Sequence, residues 1–153
     1  MSDRFTDTRI AGILDQFSQQ IGEDQINKAR RHIDPDLLKE KDLGDKLTTM
    51  RKITKKTNGM LAQILQENKR TFESWVSGRY IPEGDKLQKV NSLLLTVGLS
   101  YIEAIQEDRQ PTNAYSGFPV LFKLLDFSDA IALMVAYFND QNKTIDYETG
   151  NIS

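Results

Sequence analysis

The chain of 153 residues has no cysteine, a single histidine and no long hydrophobic run. The absence of cysteine excludes disulfides and thiolate metal sites, and one histidine is too few for a histidine-based metal centre. No apolar stretch approaches the roughly 20 residues that span a bilayer, and the first residues lack the basic-then-apolar order of a signal peptide. We therefore expect a cytoplasmic protein with no membrane partner, no metal and no cofactor. Hydrophobic residues make up 39% of the chain, enough for the core of a folded domain.

Catalytic motifs are absent as well. The chain has neither a glycine-rich phosphate-binding loop nor the sharp turn that carries a nucleophilic serine. His32 lies beside two arginines at the predicted end of a helix, where a solvated or capping role explains it better than general-base chemistry. Asp126 and Asp129 are explained by the start of a helix, where negative side chains are favourable. The sequence predicts that the protein is not an enzyme.

Nowhere do β-branched residues recur with a period of two, so we predict an all-α fold. The apolar spacing indicates a helix over residues 10–21 that ends at Gly22, a second helix around Ala29 and Ile33, and a cap at Asp34 followed by Pro35. Two later helices are predicted from apolar residues at three- and four-residue spacing: Leu47, Met50 and Ile53 in one, and Leu87, Val90, Leu94 and Val97, ending before Gly98, in the other.

Charge is segregated along the chain, although the net charge is only −2. Residues 46–90 contain 10 basic and 4 acidic side chains, a local charge of +6, so the remainder carries −8. A local excess of this kind favours contact with the phosphates of nucleic acid, although a solvated helical surface is the commoner meaning of a charge run. The basic residues are Lys46, Arg51, Lys52, Lys55, Lys56, Lys69, Arg70, Arg79, Lys86 and Lys89.

Residues 61–82 of this basic segment read as two short helices joined by a tight turn. Ala62 is small enough for the two helices to cross closely. Asn68 is a good cap for the second helix, predicted over residues 69–77, and Gly78 ends it. Phe72 and Trp75 would point into the core. The pattern is typical of a helix-turn-helix, in which the exposed first turn of the second helix reaches base edges in the major groove.

Five sequence elements stand at the spacing of one bacterial and phage family: Thr57-Asn58, Leu61-Ala62, Trp75, Gly78-Arg79 and Ile81-Pro82. The chain resembles, over about residues 47–105, the helix-turn-helix domain of λ-repressor and Cro-like (XRE-type) regulators. The resemblance implies a λ-repressor-like bundle of four or five helices, with extra N- and C-terminal helices here, that binds double-stranded DNA as a homodimer. It implies base contacts from Lys69, Arg70 and Ser74, and phosphate contacts from Asn58, Thr71 and Arg79.

The turn of this motif departs from the family pattern, and one acidic residue of the second helix is unfavourable for DNA binding. The family has a glycine and then an apolar residue in the turn, where this chain has Gln66 and Glu67. Glutamine is costly in a left-handed conformation and glutamate cannot fill the core, so we expect an altered turn. Glu73 on the second helix would repel phosphate unless it accepts from a cytosine amino group or pairs with Arg70 or Lys69.

The flanks of this domain, which we place at residues 46–108, are acidic overall and are not expected to touch DNA. We predict an N-terminal helical arm over residues 1–45 and a disordered tail over residues 141–153. The apolar helical segment at residues 112–140 includes a run, residues 128–138, that is apolar on nearly every face and must therefore be buried on several sides. We expect a dimerisation element, although the segment could also complete the core of a single chain. The dimer contacts would be Leu124, Phe127, Ile131, Met134, Val135 and Phe138.

The sequence therefore predicts a DNA-binding transcriptional regulator of bacterial or phage type, a repressor that acts as a homodimer on a symmetric operator. The alternative is a protein-interaction module, such as an antitoxin, an antirepressor or an inhibitor of a nucleic-acid enzyme. In that case the apolar C-terminal segment would contact the protein partner.

Overall fold

A computed structural model describes residues 21–39 and 41–153. These residues form helices joined by short turns and contain no β-strand, which confirms the prediction of an all-α fold. The helix predicted over residues 10–21 lies almost entirely outside the described residues. The helices are α1 (Glu23–Arg31), a 3-10 helix (Pro35–Leu38), α2 (Leu43–Thr54), α3 (Asn58–Ile64), α4 (Lys69–Val76), α5 (Asp85–Arg109), α6 (Ala114–Gly117), α7 (Leu121–Leu124) and α8 (Phe127–Asp140).

Side-chain caps explain why several of these helices begin where they do. Asp42, Thr57 and Asn68 accept hydrogen bonds from backbone amides in the first turns of α2, α3 and α4, at 2.8, 3.2 and 2.7 Å. Asp34 does the same for the 3-10 helix, accepting from Asp36 at 3.0 Å, with Pro35 at the first helical position. The caps predicted at Asp34 and Asn68 are confirmed.

One hydrophobic core connects the basic segment with the C-terminal helices. Helix α2 packs against α4, α5 and α7, and α5 packs against α8. Helix α1 joins the same core through Ala29, and the Arg30 guanidinium lies 5.5 Å from the centre of the Phe127 ring. None of the described helices is both long enough and apolar enough to cross a membrane.

The apolar segment assigned to dimerisation belongs to the core of a single chain. Five of the six side chains are buried against the same chain, and the sixth is half-buried. Phe138, for example, packs against Phe118 and Tyr137. The centre of its ring lies 5.9 Å from the centre of the Phe118 ring and 5.1 Å from that of the Tyr137 ring. The assignment of these residues to a dimer interface is therefore wrong, because side chains already covered by their own chain cannot form a second apolar surface. The buried set is Leu124, Phe127, Ile131, Met134 and Phe138, and Val135 is half-buried.

The sequence predicts that a helix ends before Gly98, and this prediction is wrong. Helix α5 continues through Gly98 to Arg109. Gly98 is buried where α5 meets α7 and α8. A β-carbon there would lie 2.8 Å from Leu133 Cδ2 and 3.3 Å from Leu121 Cδ2. The missing side chain lets these helices approach α5, which outweighs the low helix propensity of glycine.

Residues 141–153 are folded, contrary to the predicted disordered tail. The Tyr115 hydroxyl donates to the Tyr147 carbonyl at 2.6 Å, and the Asn113 side-chain amide donates to the Thr149 carbonyl at 2.8 Å. The Gly150 carbonyl accepts from Ala114 N–H at 2.7 Å, and an isolated β-bridge joins Asn113 to Asn151. The polar composition of the tail is therefore used for hydrogen bonds to the start of α6.

We expect the protein to lose stability in alkaline solution. Burial raises the pKa of Tyr101, Tyr115, Tyr137 and Tyr147 above the ordinary value of 10.0, and for Tyr115 the Asp146 carboxylate adds to the effect. The folded chain therefore holds these protons when the unfolded chain has lost them, so the free energy of unfolding falls as pH rises above about 10. Urea unfolding between roughly pH 8 and pH 11 measures this fall.

Two variants test the origin of the alkaline effect. Tyr115→Phe should flatten the pH dependence, because it removes one half-buried phenol. Tyr80→Phe is the matched control, because it makes the same change at an exposed side chain. An unfolding free energy that does not change above pH 10 in the unsubstituted chain would contradict the prediction.

Candidate nucleic-acid interface

Helices α3 and α4 pack against each other and are joined by residues 65–68. Phe72 and Trp75 anchor α4 in the core, where their rings lie 6.4 Å apart in an edge-to-face arrangement. Lys69, Arg70 and Glu73 are exposed on the other side of the helix. The structure therefore has the two helices, the tight turn and the buried anchors predicted from residues 61–82.

The turn keeps a left-handed residue although glycine is missing. Gln66 has φ +60°, the Gln66 N–H donates to the Gln63 carbonyl at 3.1 Å, and the Glu67 N–H donates to the Ala62 carbonyl at 2.9 Å. This pair of hydrogen bonds is the Schellman arrangement that commonly ends a helix at glycine. The Glu67 carboxylate does not fill the core but lies 3.4 Å from Lys86 Nζ at the start of α5. The turn is thus altered in its side chains and not in its backbone.

We expect Gln66→Gly to raise the free energy of unfolding by about 1 kcal/mol, because glycine adopts the left-handed conformation without a steric penalty. The change also removes the exposed hydrogen bond from Lys89 Nζ at 3.5 Å, which contributes little. Gln63→Gly is the matched control, because Gln63 is an exposed residue inside α3. This control should lower the free energy of unfolding by about 1 kcal/mol. Urea unfolding of both variants decides, and a destabilised Gln66→Gly would contradict the expectation.

Two adjoining concave surfaces run along α4, and we call them together the basic face. Glu73 lines both concavities. The first lies beside the end of α4 and the second lies between α4 and the end of α2. The first concavity is lined by Arg70, Thr71, Glu73, Ser74, Ser77, Gly78, Arg79 and Tyr80. The second is lined by Arg51, Lys52, Lys55, Lys56, Thr57, Asn58, Lys69 and Glu73.

All six side chains that the sequence assigned to DNA contacts lie on the basic face. Sequence reasoning missed four more cations there, which it counted in the charge of the segment but assigned to no contact. They come from the last turns of α2 and the residues just after it, and only the packing of α2 against α4 brings them beside Lys69. The face carries seven basic side chains and one acidic one. The four missed residues are Arg51, Lys52, Lys55 and Lys56.

Several polar groups of the basic face are held in place by hydrogen bonds. The Ser74 hydroxyl donates to the Thr71 carbonyl at 2.6 Å, so this side chain offers its lone pairs outward. Arg51 Nη1 donates to Asn58 Oδ1 at 3.4 Å, which leaves the Asn58 amide group available as a donor. After α4, Gly78 has φ +80° and its N–H donates to the Trp75 carbonyl at 3.2 Å. Arg79 is thereby placed directly beyond the helix end, as predicted.

Gly44 sets the position of α4 relative to α2. A β-carbon at Gly44 would overlap the carbonyl oxygen of Val76, the last residue of α4. We expect Gly44→Ala to lower the free energy of unfolding by about 1–3 kcal/mol, because a backbone atom cannot move aside as a side chain can. The displaced helix should also bind nucleic acid less tightly.

Gly59→Ala provides the matched control for this substitution. Gly59 is the second residue of α3, as Gly44 is of α2, and a β-carbon there meets its nearest atoms only at 3.9 Å. The control should therefore raise the free energy of unfolding by up to about 1 kcal/mol. Urea unfolding and duplex binding measure both variants. Equal effects of the two substitutions would contradict the role of Gly44.

Asp126, one of the carboxylates outside the basic face, forms an ion pair that holds helices together. Lys46 Nζ lies 2.8 Å from Asp126 Oδ1 at the start of α8, which ties α2 to the C-terminal helices. Burial raises the pKa of the nearby Asp129 carboxyl. In the part of the chain that the structure describes, no group of three or more His, Cys, Asp or Glu side chains is placed to hold a metal ion.

Comparison of this chain with protein-family models, with curated proteins and with solved structures finds no match.

Proposed function

We propose that the chain is a sequence-specific DNA-binding regulator that acts in the cytoplasm and places α4 in the major groove of double-stranded DNA. The observation that supports this proposal is the basic face, where the six side chains expected to contact DNA lie together with four further cations. Neutralising phosphates with lysine and arginine releases counterions from DNA, which is the main source of affinity in such complexes.

In this proposal the residues of the basic face divide into two groups. Lys69, Arg70 and Ser74 on the exposed side of α4 contact base edges, because side chains at the start of a recognition helix reach the floor of the groove. Asn58, Thr71 and Arg79 contact phosphates on either side of the groove and fix the register of the protein on the duplex. The four cations around the end of α2 extend the phosphate contacts: Arg51, Lys52, Lys55 and Lys56.

We further propose that two copies bind a two-fold symmetric site and repress transcription by occupying it. Two α4 helices roughly 34–36 Å apart would enter successive major grooves on one side of the duplex. Most apolar side chains of α7 and α8 are buried within a single chain, so we do not assign the surface between the copies to them.

The test is selection from a pool of random duplexes, followed by a salt titration on the retained sequence. We expect a two-fold symmetric site. If six or more phosphates are neutralised, the affinity should fall by about 10³-fold or more between 50 and 200 mM salt. Retention of duplexes without a shared sequence, and with weak affinity, would contradict the proposal.

A second candidate function is the protein-interaction module, such as an antitoxin, an antirepressor or an inhibitor. One observation favours it: Met60, Tyr80 and Ile81 are large apolar side chains with 51%, 66% and 73% of their surface exposed. Tyr80 and Ile81 are adjacent in the chain, and large apolar side chains left exposed are a common feature of surfaces that contact another protein. The apolar C-terminal segment, expected from the sequence to be the contact, is buried and cannot serve. Weak, sequence-independent DNA binding would make this function the better one.

A further inference from the structure

Glu73 is the one carboxylate on the basic face, among seven cations. It is exposed on α4 and lies where the two concavities meet, since it lines both of them. The sequence left two explanations for a negative charge at this place. The carboxylate could pair with Lys69 or Arg70, or it could accept a hydrogen bond from a base.

The structure does not support the pairing. The ion pairs within residues 21–39 and 41–153 join Lys39 to Asp36, Lys46 to Asp126 and Lys86 to Glu67. Glu73 takes part in none of them. Lys69 precedes Glu73 by four residues, and a cation on the N-terminal side of its acidic partner is the weaker order for a helical pair. The Glu73 carboxylate is thus an acceptor without a cation held against it.

An unpaired carboxylate at this position weakens binding to phosphates wherever it is not compensated, because it subtracts from the positive potential of the face. The major groove offers one compensating group. The N4 amino group of cytosine is a hydrogen-bond donor that glutamate can accept from. Adenine also has an amino donor, but the neighbouring N7 is an acceptor and would repel a carboxylate.

We propose that Glu73 accepts a hydrogen bond from the N4 amino group of a cytosine and so specifies a G·C pair at one position of the recognised site. This inference rests on the proposed DNA-binding function and adds a residue that determines its specificity. Glu73 also lowers the affinity of the chain for all duplexes that lack the cytosine. The ratio of specific to non-specific affinity therefore rises for two reasons. The hydrogen bond strengthens binding to the specific site, and the negative charge weakens binding to other duplexes.

The experiment compares the unsubstituted chain, Glu73→Ala and Glu107→Ala in selection from random duplexes. Alanine is chosen because a glutamine at position 73 would keep a side-chain oxygen that can accept from the amino group. We expect the unsubstituted chain to prefer cytosine at one position by about 5- to 150-fold. Glu73→Ala should lose this preference and bind duplexes of unrelated sequence more tightly. Glu107→Ala removes the same charge from an exposed residue of α5 outside the basic face and should keep the preference.

A modified duplex makes the test specific for the amino group. N4-methylation of the selected cytosine places a methyl group at the major-groove N–H. It should weaken binding of the unsubstituted chain by a similar factor and leave Glu73→Ala unaffected. Retention of the cytosine preference by Glu73→Ala would overturn this inference and leave the proposed function standing. Absence of any selected sequence with the unsubstituted chain would overturn both.

Discussion

Replacing Lys69 and Arg70 together by alanine is expected to lower the affinity of the chain for its selected duplex by about 100-fold or more. Each good contact between a side chain and a base edge contributes about 1–3 kcal/mol of discrimination, and two such contacts are lost. Both side chains are exposed at the start of α4, and the Asn68 cap does not depend on them. The fold should therefore be retained. Titration of labelled duplex measures the affinity, and circular dichroism confirms the helix content.

Lys28→Ala with Arg31→Ala is the matched control for this double substitution. These two basic residues are also exposed and lie three residues apart on α1, away from the basic face. The control removes the same charge, so a loss of long-range attraction alone would affect both variants equally. We expect the control to retain most of the affinity. Unchanged duplex binding by the α4 variant would contradict the proposed role of this helix and favour the protein-interaction module.

Phe138→Ala is expected to lower the free energy of unfolding by about 3–5 kcal/mol. The Phe138 side chain is fully buried in the core of a single chain and contacts the rings of Phe118 and Tyr137. A loss of this size is a large part of the stability of an ordinary domain. Asn139→Ala, at the exposed neighbouring position of α8, should change the free energy by less than about 0.5 kcal/mol.

The same experiment separates core formation from dimerisation. If α8 completes the core of one chain, its burial adds no dependence on protein concentration. The urea midpoint of the unsubstituted protein should then be the same at different protein concentrations. A midpoint that rises with protein concentration, together with a Phe138→Ala variant that remains folded as a single chain, would show that α8 lies at an interface. Unfolding curves at two concentrations about 50-fold apart are sufficient.

The limits of α3 and α4 follow from the sequence because they are set by residues close to each other in the chain. Thr57 and Asn68 supply oxygens three residues before the amides that they cap, and Gly78 takes up a positive φ just after α4. Such interactions need no distant partner. For the same reason, the exposure of Lys69, Arg70 and Glu73 follows once Phe72 and Trp75 are recognised as the buried side of the helix.

Predictions based on residue type were wrong at three places where the local structure depends on contacts with residues far away in the sequence. Glycine at position 98 suggests a helix end, yet Gly98 lies inside α5. The Leu133 and Leu121 side chains occupy the space that a β-carbon at this position would fill. The tail looks disordered, yet Asn113 and Tyr115 supply its hydrogen bonds from more than 30 residues away. The apolar surface of α8 looks like a dimer contact, yet α5 and α7 cover it. In each case the partner is remote in the sequence.

The sequence by itself determined the all-α class, the caps and turn of the α3–α4 unit, and the local excess of basic residues. These depend on backbone conformation and on side chains within about four residues, which the order of amino acids specifies directly. The tertiary structure decided which surfaces remain exposed. It buried the apolar C-terminal segment and placed the cations around the end of α2 beside α4. The physical reason is that packing of the core brings together residues that are far apart in the sequence, and their positions in the sequence do not show which of them will be in contact.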